Sequence, residues 1–386
     1  MGHHQECTIC ASATELIYEP KKSIVGIQIL ICKVCGFVQS QKTHLSAEFQ
    51  GLPAINSLSC DADYSPIRVG KQQMTDVDVR NIESLNLPGI EEFIFLDMAS
   101  ARGHFARWAR STSQNKVVCL EPDAYMTNSY NKDSSIELHI GDYRQIELLD
   151  RFDFIYSCHT LEHFIDPVDY LSFVHAHLKP LGYFYVNVPN LSGIVGVTTL
   201  DDFFYDKHRV YFDLLTLQTL LGNQGFTIVS EWVDSACIRL LVRKIEKQNA
   251  SVRGSSYVSN REIISNYIED LGHSRLKLPT LVSELHTNLE HESTRIVFGC
   301  GRMLDALISY GHLDLSSFHF LVDNYLGLAT KMLYGRDLYR LDNLPEIKGG
   351  IQFVVVSRTS NLEIANLISN KFPTASIFFF AGLLNR

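Results

Sequence analysis

Phe93-Ile94-Phe95-Leu96-Asp97-Met98-Ala99-Ser100-Ala101-Arg102-Gly103 is the stretch on which the reading of this chain turns. An apolar run breaks into a turn of small residues, and a helical pattern follows. Small side chains at such a turn let a ligand approach the main chain, and the helix beyond it offers unpaired N–H groups. The stretch alone is weak, because it is not a full glycine motif. The next strand-like run, Val117–Glu121, ends in Glu121-Pro122, an acid about 20 residues past the turn, where a carboxylate is placed to take ribose hydroxyls. The run after that, Ile136–Ile140, ends in Gly141-Asp142-Tyr143, where a carboxylate can reach an adenine amino group. Each could be a plain loop residue; in this order they point to one nucleotide-type ligand.

Working outward, further strands are predicted at Phe152–Ser157, Tyr183–Val188, Phe226–Ser230 and Ile238–Val242, the last two forming an antiparallel edge hairpin. Their blocky apolar character suits a parallel sheet covered on both faces. Lys244 to Ser293 reads as a polar, largely helical connector. From Thr294 the alternation resumes, with strands predicted at Arg295–Phe298, Phe318–Val322, Phe353–Ser357 and Ile377–Phe380. The first of these runs into Gly299-Cys300-Gly301 and the second into Asp323, a shortened dinucleotide-fold outline without its third glycine. No nicotinamide is expected there, and the reading leans towards structural glycines.

Before this region the chain is rich in cysteine. Cys7-Thr8-Ile9-Cys10 and Cys32-Lys33-Val34-Cys35 are two knuckles, and Gly36 follows the second where positive φ is needed. Two such turns supply the four soft ligands of a closed, structural zinc site. Four unrelated thiols, or a redox pair, are the blander readings. Cys60, Cys119, Cys158, Cys237 and Cys300 read as small buried hydrophobes. The chain has 386 residues and a formal net charge of -9, an acidic balance that disfavours a nucleic-acid partner. No membrane span and no leader peptide are predicted, so a reducing, cytoplasmic setting is expected.

The residues around the opening stretch resemble a known family. Asp97 to Gly103 is similar to the first motif of class I S-adenosylmethionine-dependent methyltransferases. Phe152-Asp153-Phe154-Ile155-Tyr156-Ser157-Cys158-His159-Thr160-Leu161-Glu162-His163-Phe164-Ile165-Asp166-Pro167 is similar to their fourth-strand motif, and Leu178 to Asn190 to the run into their fifth strand. With the cysteine knuckles and the C-terminal unit, the layout resembles the sugar C-methyltransferases that alkylate nucleotide-linked keto sugars. The resemblance implies an α/β protein of three units: a zinc-binding domain at 1–58, a central Rossmann-like methyltransferase sheet at 59–245, and a C-terminal Rossmann-like domain at 246–386 that completes the substrate cleft. It places Tyr64, Asp97, Ala99, Gly103, Glu121, Pro122, Asp142, Tyr143 and His159 around S-adenosylmethionine. Tyr64 is equally readable as an ordinary tyrosine. Ala99 and Ala101 stand where the family carries glycine.

For methylation at carbon beside a ketone, a base must take the α-proton and donors must stabilise an enolate. Phe203-Phe204-Tyr205-Asp206-Lys207-His208-Arg209-Val210-Tyr211-Phe212 is the candidate stretch. The family's version reads aromatic-Tyr-His-Glu-His. Tyr205 and His208 match; Lys207 replaces the acid, where its charge could serve an enolate or a phosphate. His208 is expected as base, Tyr205 as its partner and His163 as a further candidate, against the plainer reading of packed loop histidines. Oxygen or nitrogen methylation of another metabolite, and a non-catalytic scaffold with a decayed pocket, are the rival functions.

Overall fold

A computed structural model describes residues 6–21, 25–45, 65–114, 116–130, 135–194, 203–247, 254–324, 326–357, 361–380 and 382. Tyr64 and Cys60 lie outside the described residues. The protein is mixed α/β, with two Rossmann-like, mainly parallel sheets and a smaller antiparallel one.

The small sheet holds β1 (Thr14–Tyr18), β2 (Val25–Cys32) and β3 (Val38–Leu45), joined as antiparallel neighbours. The aliphatic run of β2 suits a strand buried along most of its length. The fourth strand comes from far along the chain: Val210 and Tyr211 pair with Gln39 and Val38. The cysteine-rich unit is therefore completed by residues that directly follow His208.

The central sheet and its helices comprise α1 (Ser65–Ser84), β4 (Phe95–Met98), α2 (His104–Thr112), β5 (Val117–Glu121), β6 (Ile136–Ile140), β7 (Phe152–Cys158), α3 (Pro167–His177), β8 (Leu178–Pro189), α4 (Leu214–Asn223), β10 (Phe226–Val233) and β11 (Cys237–Lys244); β9 (Val210–Tyr211), between β8 and α4 in the chain, belongs to the small sheet. Its order is β10-β11-β8-β7-β4-β5-β6. The five strands from β8 to β6 run parallel, and β11 and β10 add an antiparallel hairpin at the edge. Alternate residues feed two cores. Leu96, Val118, Ile155 and Phe184 pack on one side with Leu171 and Val174 of α3 and Leu217 of α4. Phe95, Val117, Phe154 and Tyr185 pack on the other with Ile82 of α1 and Phe105 and Ala109 of α2. Burial on both faces is why these strands read as apolar blocks. After buried Phe226, β10 alternates exposed and half-buried residues, so its polar end was invisible to a reading based on apolar runs. The order in which successive strands are added reverses between β4 and β7, the switch point where ligands of open parallel sheets sit, beyond the strands' carboxyl ends.

Beyond α5 (Tyr257–Arg275) and α6 (Leu278–Thr287), the second parallel sheet contains β12 (Thr294–Phe298), α7 (Arg302–Ser309), β13 (Phe320–Val322), α8 (Leu326–Ala329), β14 (Met332–Leu333), β15 (Arg336–Tyr339), β16 (Ile351–Val355), α9 (Asn361–Lys371) and β17 (Ser376–Phe379), in the order β14-β15-β13-β12-β16-β17. The β14–β15 hairpin turns on Tyr334 (φ 54°) and Gly335 (φ 70°), both left-handed as a two-residue hairpin turn requires. Tyrosine is not a usual first residue of that turn, so the hairpin carries no turn signal in one dimension.

The connector is more than a spacer. Ser256 N–H donates to the Cys35 carbonyl at 3.1 Å, and Asn260 Nδ2 to the Gly36 carbonyl at 3.0 Å. Gly36 has φ 80°, and a Cβ there would lie 2.3 Å from the Tyr257 nitrogen. Ile264, Tyr267 and Leu271 of α5 share a core with Ile27, Ile29, Phe204 and Tyr211. Among the described residues, no helix is long and apolar enough to cross a membrane.

Candidate active site

The turn after β4 forms the floor of a cleft lined by Thr75, Asp97, Ala99, Ser100, Tyr156 and Cys158, among others. Ala99, Ala101 and Gly103 have φ of 51°, 49° and 69°, so every second residue of the turn is left-handed. Glycine adopts this region freely; alanine does so at a cost of roughly 1–2 kcal/mol. The turn is braced from behind. Glu121 accepts from the Ala101 N–H at 2.6 Å and from the Asp123 N–H at 2.9 Å. Tyr130 donates to Ser100 Oγ at 2.7 Å. A Cβ on Gly103 would lie 2.6 Å from the Tyr130 ring.

Asp97 and Ala99 thus line the cleft, and Gly103 and Glu121 shape its turn. Pro122, exposed, follows Glu121, and Asp142, also exposed, caps the turn after β6 by accepting from the Arg144 N–H. Tyr143 points elsewhere: it is buried against Phe164, Tyr170 and Phe173, and its hydroxyl donates to Asp169 at 2.7 Å.

A second cluster begins beside the cleft. Cys158 lines the cleft, and its neighbour His159 holds a left-handed backbone (φ 49°). His159 Nδ1 lies 3.3 Å from Glu162 Oε1, and its Nε2 lies 3.4 Å from Cys237 Sγ. The same Glu162 oxygen is 3.8 Å from His208 Nε2, which receives the Tyr205 hydroxyl at 2.7 Å. His163 stacks edge-on to His208 at 5.0 Å, and its Nδ1 donates to the Lys207 carbonyl at 3.1 Å. Tyr205, His208 and His163 are therefore together, with His159 one residue from the cleft. Glu162, His163 and His208 offer ligand atoms within 4.8 Å of one another. The His208 nitrogen facing Glu162 already holds the Tyr205 hydroxyl, so the group is read as an acid–base cluster.

Its charges divide sharply. Burial alone would raise Glu162, but His159, His163 and His208 outweigh it and hold the carboxyl down at about 2. Burial would also lower His159, yet Cys237 and Glu162 push it up to about 10. For His208 burial wins over the pull of Glu162 and, aided by His163, His159 and Arg302, presses the ring down to about 3. His208 is neutral at physiological pH, as a base must be, and His159 is a cation.

Two features escaped the sequence reading. Glu162 lay inside a quoted motif, but nothing in one dimension marks an acid as fully buried. Asp78 is likewise fully buried, accepting from the Tyr156 and Tyr185 hydroxyls, Asn187 Nδ2 and Arg239 Nε at 2.7–3.0 Å. It ties α1 to the ends of β7, β8 and β11 next to the cleft.

The four knuckle sulfurs converge. Cys7–Cys35, Cys10–Cys32 and Cys10–Cys35 are 3.6, 3.5 and 3.6 Å apart. Tetrahedral zinc with bonds of about 2.3 Å needs sulfurs roughly 3.8 Å apart, whereas a disulfide needs about 2.05 Å. The cysteines are free thiols, and the donor set fits zinc. In the C-terminal unit, Asp323 accepts from the Cys300 and Leu326 N–H groups at 2.9 Å, so its carboxylate closes the Gly299–Gly301 turn.

Residues 78–231, from within α1 to β10, match the family model described as a methyltransferase domain. Similar solved structures include the 1,6-didemethyltoxoflavin-N1-methyltransferase of Burkholderia thailandensis (17% identity, 54% of this chain, 96% of that one, TM-score 0.41). Another is the magnesium protoporphyrin IX methyltransferase of Synechocystis PCC 6803 (14%, 51%, 91%, TM-score 0.38). A third is an S-adenosylmethionine-dependent methyltransferase of Mesorhizobium loti (18%, 41%, 94%, TM-score 0.35). No curated protein matches the chain. The matched residues, with the cleft at the switch point of their sheet, make this part of the chain similar to a methyltransferase domain. The protein is an enzyme, which sets aside the scaffold reading.

Proposed function

We propose that the enzyme methylates carbon in a nucleotide-linked keto sugar, with Tyr205 and His208 handling the α-proton and zinc held by Cys7, Cys10, Cys32 and Cys35. The observation that carries this reading is the unbroken path from cleft to base: Cys158 lines the cleft, His159 follows it and touches Glu162, and Glu162 faces His208, which holds the Tyr205 hydroxyl. S-adenosylmethionine, when bound, supplies an electrophilic methyl group. Asp97, Ala99, Gly103, Glu121, Pro122 and Asp142 would hold it, with the left-handed turn admitting it close to the main chain.

Neutral His208 is buried, with Nε2 directed at Tyr205. It therefore acts through the phenol: as Tyr205 oxygen takes the α-proton, the phenolic proton passes to His208 Nε2. Zinc in a closed four-thiolate site has no open position and serves structure. The unit boundaries near residues 58 and 245 belong to the same reading, with the C-terminal unit closing the acceptor side, where Arg302 lies 5.3 Å above the Tyr205 ring. The lysine at 207 supports a second reading, oxygen or nitrogen methylation, in which no α-proton is removed.

The test is incubation with S-adenosylmethionine and a panel of nucleotide-linked keto sugars in deuterium oxide. Expected is a product heavier by one methyl group, with deuterium exchange at the α-carbon that Tyr205→Phe abolishes. Methylation at oxygen or nitrogen, or transfer without exchange in an enzyme insensitive to Tyr205→Phe, would replace this reading by the second.

A further inference from the structure

We infer that Glu162 is the carboxylate of the acceptor site, a positioning residue shared by His159 and His208 that stands in for the acid missing at position 207. The inference rests on the proton-transfer reading above.

The placement is set by bonds between the two segments that carry these residues. Glu162 belongs to the turn after β7, whereas His208 lies in the loop before β9. The Arg209 N–H donates to the Glu162 carbonyl at 2.7 Å, and His163 binds the Lys207 carbonyl at 3.1 Å. One backbone bond and one bond from the His163 ring to a main-chain carbonyl thus fix the Glu162–His208 separation.

Burial makes the placement informative. Glu162 is 1% exposed, and its one close donor among the described residues is the His159 ring at 3.3 Å. A carboxylate kept only for structure is normally satisfied by donors, since burying the charge is costly. Here its surroundings are imidazoles: His159 at 3.3 Å, His208 at 3.8 Å and His163 beyond it. Cys237, Tyr205, Tyr211 and Arg302 are further titratable or charged groups around them.

The two close histidines are not equivalent. His159 is bracketed between Glu162 and Cys237, so both its ring nitrogens face protein groups; it is the resting counter-ion of Glu162. His208 faces Glu162 and Tyr205 with one nitrogen. When the proton arrives on His208, positive charge develops beside a fixed carboxylate where water is excluded and attraction is strong. An acid in this position stabilises the imidazolium without taking the proton itself, the division of labour seen in catalytic triads.

The test uses the full chain with Glu162→Gln and Glu162→Asp, and ¹⁵N-labelled histidine. Without any acceptor, the spectrum should show a doubly protonated His159 at pH 8 in the parent and in Glu162→Asp, and a neutral one in Glu162→Gln. In turnover, Glu162→Gln should lose about 10²-fold in kcat with KM and S-adenosylhomocysteine affinity unchanged, and Glu162→Asp should recover part of the loss. An unchanged His159 spectrum in Glu162→Gln, or a kcat loss matched by an equal loss of cofactor affinity, would overturn the assignment. If Glu162→Gln does not fold, a Glu162→Asp enzyme with parental kcat and parental His159 titration would overturn it as well. If the parent turns over no keto sugar, the substrate reading fails, and the spectrum still decides the role of Glu162.

Discussion

Ser40 in β3 donates its hydroxyl to the His208 carbonyl at 2.7 Å, and its N–H donates to the Arg209 carbonyl at 2.8 Å. The strand that follows the second cysteine knuckle therefore holds the loop of the proposed base. Ser40→Ala should cost about 1–2 kcal/mol of stability for the buried hydrogen bond and lower kcat, leaving S-adenosylhomocysteine affinity at its parental value. Removing metal with a chelator should act the same way, more strongly, because metal binding to such a site is folding free energy. Melting curves, calorimetry and turnover on the same samples check this. Full turnover by metal-free protein would break the link.

The alternating left-handed turn predicts opposite responses at neighbouring positions. Ala101→Gly relieves strain of roughly 1–2 kcal/mol, offset by about 0.5–1 kcal/mol of unfolded-chain entropy. Stability should hold or rise slightly, and cofactor affinity should not fall. Gly103→Ala imposes strain at φ 69° and drives a methyl group into the Tyr130 ring, so both should drop. Thermal melts with and without S-adenosylhomocysteine measure both effects.

Asp78 and Arg239 form a buried ion pair at 3.0 Å, with Arg239 also held at 2.7 Å by Asp234. Asp78→Ala leaves the guanidinium, two phenols and Asn187 without their common acceptor. The expected loss is about 3–5 kcal/mol, read as a fall in the urea midpoint. A loss below about 1 kcal/mol would show that water replaces the carboxylate.

The split among the histidines sets a pH dependence. His159 is raised from 6.5 to about 10, so its contribution is fully present below 6.5 and is lost as pH rises through 10. His208 is lowered from 6.5 to about 3, so it favours the folded state above 6.5 and that advantage is lost as pH falls towards 3. Glu162, lowered from 4.5 to about 2, adds to the acid-side loss between those values. Stability should fall on both sides of neutrality, and His159→Asn should flatten the alkaline side. An alkaline limb unchanged in that variant would contradict the charged state of His159.

Much of this was legible in one dimension. Apolar blocks announced the parallel strands because both faces are covered, and the knuckle spacing brought four sulfurs together as read. Tyr205, His208 and His163 converge because the loop and the turn after β7 are tied by the Arg209–Glu162 backbone bond and by the His163 ring on the Lys207 carbonyl. Other features depend on contacts between distant segments. The pairing of Val38 with Tyr211 joins two regions that read as separate units, and β9 is too short to carry a periodic signal. Tyr143, adjacent to a well-placed acid, turns into the core because Phe164, Tyr170 and Phe173 wait there. Asp78 and Glu162 are acids whose partners come from several strands and loops, so neither spacing nor composition could single them out.

The most direct test of the central claim is calorimetric titration of the folded, zinc-loaded protein with S-adenosylhomocysteine. The cleft beyond β4 should bind one equivalent with micromolar affinity, about -8 kcal/mol, and Gly103→Ala should weaken it. Absence of heat at millimolar ligand would mean that the alanine-bearing turn does not accept the cofactor and would contradict the account at its base.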